Sequence, residues 1–197
     1  FLNELEEVLH NITTQHQGLY ADDVQDLIHK LKLFGFHFAS LDIRQDSRVH
    51  NSVFENIVSH PESQKHIKEL PDQYQSLSEA ERCAVLPNFT GAIPPSLFSD
   101  EITRQTLESI YAMKEIQAFK GERGCNRYII SNCQTLENIL QLFAMHRICG
   151  WKKPTVDFIP LFETITDLSE AKKVMHGLFS NPIYRAHLST REDKQTI

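Results

Sequence analysis

From Arg127 to Leu178 the sequence gives one instruction twice: a short apolar run of extended character, then a capping residue, then an apolar stripe at helical spacing. In the first copy Arg127-Tyr128-Ile129-Ile130-Ser131 is followed by Thr135, then by Leu136, Ile139, Leu140, Phe143 and Ile148. In the second, Thr155 to Glu163 reads TVDFIPLFE; Asp167 and Glu170 stand at capping-box spacing, and Leu168, Ala171, Val174, Met175 and Leu178 form the stripe. Consecutive parallel strands need a crossover, and a helix between two strands is the usual one. The pattern therefore predicts an α/β fold with parallel strands and helices outside them. Asn181-Pro182 breaks the last stripe, and a final extended segment is expected near Gln195.

The same logic extends upstream. Phe1, Leu5, Val8, Leu9 and Ile12 share one helical face, and Val24, Leu27, Ile28 and Leu31 share another, with Gly35 as a natural stop. Gly35 to His50, GFHFASLDIRQDSRVH, then alternates as a strand should: Phe36, Phe38, Ser40, Asp42 and Arg44 on one parity, Ala39, Leu41 and Ile43 on the other. Helical patterns flank this strand, so it should be covered, and a buried arginine in it would need an anionic partner. Val49, Val53 and Ile57 continue as a helix that Pro61 ends. Residues 60–124 read as a helical insertion between strands. It is punctuated by prolines, with a short helix over Glu79 to Leu86 capped by Ser78 and Glu81, and a long one from Asp100 to Lys120 stopped by Gly121.

Composition narrows the function classes. The formal charge is −6 and the lysines and arginines are scattered, which weighs against nucleic acid as a partner. An anionic substrate would then need local positive charge. No apolar run has the length of a membrane span, so no membrane partner and a cytoplasmic location are expected. Cys83, Cys125, Cys133 and Cys149 lack CxxC spacing and read as core residues or free thiols. The ten histidines include no HExxH pair and read as surface or core residues, with His50 supporting a strand end. Neither GxGxxG nor GxxxxGK[ST] occurs.

Two stretches hold candidate chemistry. In the first, Asp42 and Arg44 share a face near the end of a strand. In the second, alternation puts Asp157, Ile159, Leu161 and Glu163 on one face, with Glu163 where the strand should stop before a helix. Polar residues at the carboxyl ends of parallel strands are where α/β enzymes gather their sites, although Glu163 also reads as an ordinary loop residue near a helix start.

Leu41-Asp42-Ile43-Arg44-Gln45, followed by Asp46, Ser47 and His50, resembles the Leu-Asp-Ile-Arg-Gln-Glu-Ser…His signature of the phosphoenolpyruvate carboxylase family. Asp46 replaces the usual Glu, and Val49 stands where an Arg often precedes the His. Downstream and in the right order, Tyr128-Ile129-Ile130-Ser131 resembles the family's Tyr-Val-Ile-Ser strand. Pro160-Leu161-Phe162-Glu163-Thr164-Ile165 resembles its Pro-Leu-Phe-Glu-Thr segment, and the Asn181-Pro182-Ile183-Tyr184 turn also matches. The helices before Gly35 and the insertion add little to the likeness.

The resemblance implies a large cytoplasmic homotetramer built on an eight-stranded (β/α)8 TIM-type barrel with extra helices, of which this helix-rich chain would be one part. It implies carboxylation of phosphoenolpyruvate by bicarbonate to oxaloacetate and phosphate, replenishing the tricarboxylic acid cycle, with Mg²⁺ or Mn²⁺. Arg44 matches the family's phosphate-contacting arginine and Glu163 its metal-binding glutamate; Asp42 would orient Arg44 or form a plain ion pair. The family's histidine in Thr-Ala-His-Pro-Thr has no counterpart here and would lie upstream of Phe1. The second metal carboxylate, in Gly-Tyr-Ser-Asp, would follow Ile197. The 197 residues are thus expected to be an internal piece of the barrel region, inactive alone. Two rivals stay open: a non-catalytic helix-rich interaction module, in which Arg44 and Glu163 lie far apart, and another barrel enzyme using phosphoenolpyruvate.

Overall fold

The computed structural model describes residues 1–37 and 39–197. Packing divides the chain into two compact units, Phe1–Ser40 and Leu41–Ile197, where the sequence reading treats 1–197 as one piece. The smaller unit is a helix pair, α1 (Leu2–Gln15) and α2 (Ala21–Phe34). Lys32 bridges to Glu6 across the pair at 2.7 Å, and Ile28 is buried. Gly35 ends α2 at φ 59°, a conformation that costs glycine nothing.

In the larger unit the first strand, β1, runs only from Asp42 to Asp46, six or seven residues shorter at its start than the alternation suggests. Phe36 lies in a turn and is exposed, and Phe38 is outside the described residues. Asp46 caps α3 (Ser47–Ser59) through its carboxylate, which accepts from Arg48 N. There follow α4 (Ser63–His66), β2 (Ile67–Lys68), α5 (Glu79–Val85), β3 (Thr90–Gly91) and α6 (Glu101–Lys120). The chain then reaches β4 (Arg127–Ser131), α7 (Leu136–Ile148), β5 (Asp157–Pro160), α8 (Ile165–Ser180) and α9 (Pro182–Ser189).

The strands β1, β4 and β5 form a parallel sheet in that order, Asp42 opposite Arg127 and Arg127 opposite Asp157. The expected α/β architecture with a parallel sheet is present, as three strands; β2 and β3 pair antiparallel on their own. Within 60–124 the Ser78–Glu81 capping box and the Asp100 cap with its Gly121 stop form as read from sequence.

Helix α7 lies between the sheet and α3, α5 and α8 and is buried on nearly every side: Ile139, Leu140, Leu142, Phe143 and Met145 are all at or near zero exposure. Each such side chain contributes about 1.5–3 kcal/mol relative to exposure. Phe143 stands edge-on to Phe158 of β5 and to Tyr184 of α9, locking the last helix onto the sheet. His50, His146 and His187 are core histidines, and Cys125, Cys133 and Cys149 are buried free thiols.

Two local readings are corrected. The cap of α8 is Thr164, boxed with Asp167, not Asp167 with Glu170: Thr164 Oγ1 accepts from Asp167 N, and Asp167 accepts from Thr164 N. The segment near Gln195 is irregular rather than a strand, and Asn181-Pro182 starts a helix as well as ending one. Asn181 accepts from Ile183 N and Tyr184 N, and proline at the first helical position loses no hydrogen bond. Among the described residues, no helix is long and apolar enough to cross a membrane.

Candidate functional site

Because β1, β4 and β5 are parallel, their carboxyl ends open on one rim. Three groups meet there. Arg44 lies two residues before the end of β1, Asn132 directly follows β4, and Glu163 lies three residues beyond β5. Arg44 Nη2 donates to Glu163 Oε1 at 3.0 Å, and the backbone N–H of Asn132 donates to Glu163 Oε2 at 3.1 Å. One carboxylate is thus held from the ends of the other two strands.

Each member is placed by its neighbours. Leu161 N donates to Ile130 O and Cys133 N to Leu161 O, so the segment carrying Glu163 runs along the end of β4. Thr164 begins α8 immediately afterwards and fixes the direction in which Glu163 leaves the sheet. Asn132 has φ 52°, in the left-handed region that asparagine tolerates better than most residues, and its carbonyl accepts from Ser47 Oγ at 2.6 Å.

The sequence reading expects a covered strand and a buried arginine. The arginine side chain is instead 58% exposed and the glutamate 42%. An ion pair this open adds little stability, about 0–1 kcal/mol. Its value is positional: a permanently charged planar donor and a carboxylate, both within reach of solvent, at a single rim.

The third expected residue, Asp42, lies on the same strand but faces Arg127 of β4, at 4.0 Å from Nη1. Asp46 sits closer to the rim than Asp42 does. Two bonds from the Arg48 guanidinium, with a third from its backbone N–H, hold the Asp46 carboxyl down to about 2, so it stays ionised. His50, one turn along α3, packs its Nε2 3.2 Å from the Tyr128 hydroxyl, and burial pushes its pKa down to about 4. It is a neutral support behind the strand ends, as read from sequence. Sequence reasoning missed the Asn132 backbone donor. An asparagine directly after a strand, where a left-handed residue turns the chain, was the available signal.

Among the described residues, no group of three or more His, Cys, Asp or Glu side chains is arranged to hold a metal ion.

The family model for phosphoenolpyruvate carboxylase matches residues 1–197. A Synechococcus protein named phosphoenolpyruvate carboxylase is 33% identical over 193 residues, covering 93% of this chain and 18% of the relative. Proteins of that name from Thermosynechococcus vestitus and Trichormus variabilis are 34% and 31% identical, each covering 96% of this chain and 19% of its own length. The chain spans less than a fifth of the length of these curated relatives. With the Asp42–Asp46 strand, the Arg127–Ser131 strand and Glu163 meeting as described, and with the whole of its length matched, this chain belongs to the phosphoenolpyruvate carboxylase family.

Proposed function

We propose that this chain forms part of the active-site rim of a phosphoenolpyruvate carboxylase, its sheet being a sector of an eight-stranded α/β barrel. The observation that carries the reading is the 3.0 Å contact between Arg44 and Glu163, residues 119 positions apart, at the carboxyl ends of parallel strands. The strand ends add the position: the pair lies at the carboxyl ends of parallel strands, where α/β enzymes gather their sites.

In this reading Arg44 receives the phosphate of phosphoenolpyruvate, where a guanidinium offers two parallel donors to a phosphoryl group. Before substrate arrives, Glu163 Oε1 takes one of those donors, Nη2, and keeps the side chain aimed at the rim. Asn132 N–H holds the other carboxylate oxygen, so Glu163 keeps its place when Arg44 turns to the substrate. Asp42 acts at one remove, fixing Arg127 beside the strand.

The donor set fits a hard divalent cation on one side. Glu163 would hold Mg²⁺ or Mn²⁺ as one carboxylate ligand, and such ions commonly take one or two protein carboxylates alongside water and substrate. Held there, the ion would supply positive charge to offset the negative charge that develops as phosphate leaves. Carboxylation by bicarbonate then gives oxaloacetate and phosphate, replenishing the tricarboxylic acid cycle. A cytoplasmic homotetramer is the setting this family implies.

The protein made from the full reading frame that encodes this chain is expected to form oxaloacetate from phosphoenolpyruvate only with bicarbonate and a divalent metal present. Turnover without bicarbonate would favour a different enzyme of phosphoenolpyruvate. The 197 residues alone contain nothing resembling the family's histidine segment and are expected to form no oxaloacetate.

A further inference from the structure

On the amino-terminal side of β5, away from the rim, a cavity of about 310 Å³ opens between the end of α7, the loop into β5 and helix α9. Its interior is apolar, with Phe143, Pro154, Ile183 and Ala186 on the walls, and its charged residues are Arg147, Lys152 and Lys153. No acidic residue lines it, although the chain as a whole has a net charge of −6.

Arg147 is the unusual member. It is half-buried, and burial alone pushes its pKa below the ordinary arginine value. Its Nε donates to Phe89 O at 3.2 Å and its guanidinium stands 5.5 Å from the centre of the Phe143 ring. Among the described residues, none of the ion pairs takes Arg147, Lys152 or Lys153. A desolvated cation without an anion is costly, and an anion entering the cavity would offset that cost. Small-molecule sites are typically concave and apolar, about 300–1,000 Å³, with a few polar groups that fix orientation.

We propose that this cavity binds a small organic anion: an apolar ring or branched chain against Phe143 and Ile183, with a carboxylate or phosphate monoester head on Arg147 and the two lysines at its mouth. The proposal is independent of the carboxylase reading, since it uses no residue of the rim.

The test is calorimetric titration of the protein from its full reading frame with cyclohexanecarboxylate, cyclohexyl phosphate and cyclohexanol. Saturable binding of at least one anion is expected, with the preferred anion identifying the head group, and none of cyclohexanol at ten times the concentration. Arg147→Gln is expected to weaken anion binding at least about tenfold, as loss of a charge-assisted contact does. The exposed Lys153→Gln is expected to weaken it about threefold, and this variant decides the matter should Arg147→Gln fail to fold. Absence of saturable binding by either anion, equal binding of cyclohexanol, or anion affinity unchanged in the variants that fold would overturn the proposal.

Discussion

Arg82 of α5 grips Glu137 of α7 with two parallel bonds, Nε to Oε1 at 2.7 Å and Nη2 to Oε2 at 3.0 Å, and Glu137 is almost fully buried. This fork fastens the 60–124 segment onto the helix behind the sheet. Arg82 Nη1 also donates to Leu77 O, and Gln141 Nε2 to Glu137 Oε1, so both partners are held from further sides. Removing one partner strands a buried charge. Arg82→Met is therefore expected to cost about 3 kcal/mol in urea unfolding, while Arg82→Met with Glu137→Leu recovers most of the loss. A double variant as unstable as the single one would contradict this account.

Three core histidines make stability depend on pH. Burial holds His50 and His187 down to about 4 and His146 to about 3, against an ordinary value of 6.5. Each takes up a proton more readily in the unfolded chain, so folding is undisturbed above about 6.5 and weakens as pH falls from there towards 4. The slope approaches about 1.4 kcal/mol per pH unit for each histidine fully in play. Below about 4 a separate loss begins, because Asp46, held down to about 2 by Arg48, is protonated in the unfolded chain first. Urea midpoints measured from pH 7 to 3 are expected to trace this decline, with His50→Asn flattening the upper part. A midpoint constant from pH 6.5 to 4.5 would be the contrary result.

The cap of α8 links stability to the site. Thr164→Ala removes the acceptor for Asp167 N and is expected to cost about 1 kcal/mol. Since Glu163 is the neighbouring residue, the proposed rim predicts that the same change in the full reading frame's product lowers oxaloacetate formation by more than the loss of folded protein accounts for. Equal losses of activity and of folded fraction would mean that the cap supports the helix alone.

How much of this was legible in the sequence depends on how local the cause is. The capping box at Ser78, the cap at Thr135 and the stop at Gly121 are written in neighbouring residues, and they form as read. At α8 two patterns competed, Thr164 with Asp167 and Asp167 with Glu170. The strand's end at Pro160 decided for the earlier one, which nothing within the helix could reveal. The Gly35–His50 alternation overstated β1 because pairing begins only where β4 supplies partners, at Arg127. The Arg82–Glu137 fork and the Asn132 donor depend on contacts 55 and 31 positions apart; the fork left no pattern in spacing, and Asn132 only the mark of a turn after its strand.

The most direct measurement is the steady-state rate of oxaloacetate formation by Glu163→Gln and Arg44→Gln in the full reading frame's product, with the melting temperature as a control. The rim account predicts a fall in kcat/KM of at least about a hundredfold for each, with melting within a few degrees of the unsubstituted protein, since charge aimed at the reacting group is worth that much while an exposed ion pair adds little stability. Wild-type rates in either folded variant would contradict it.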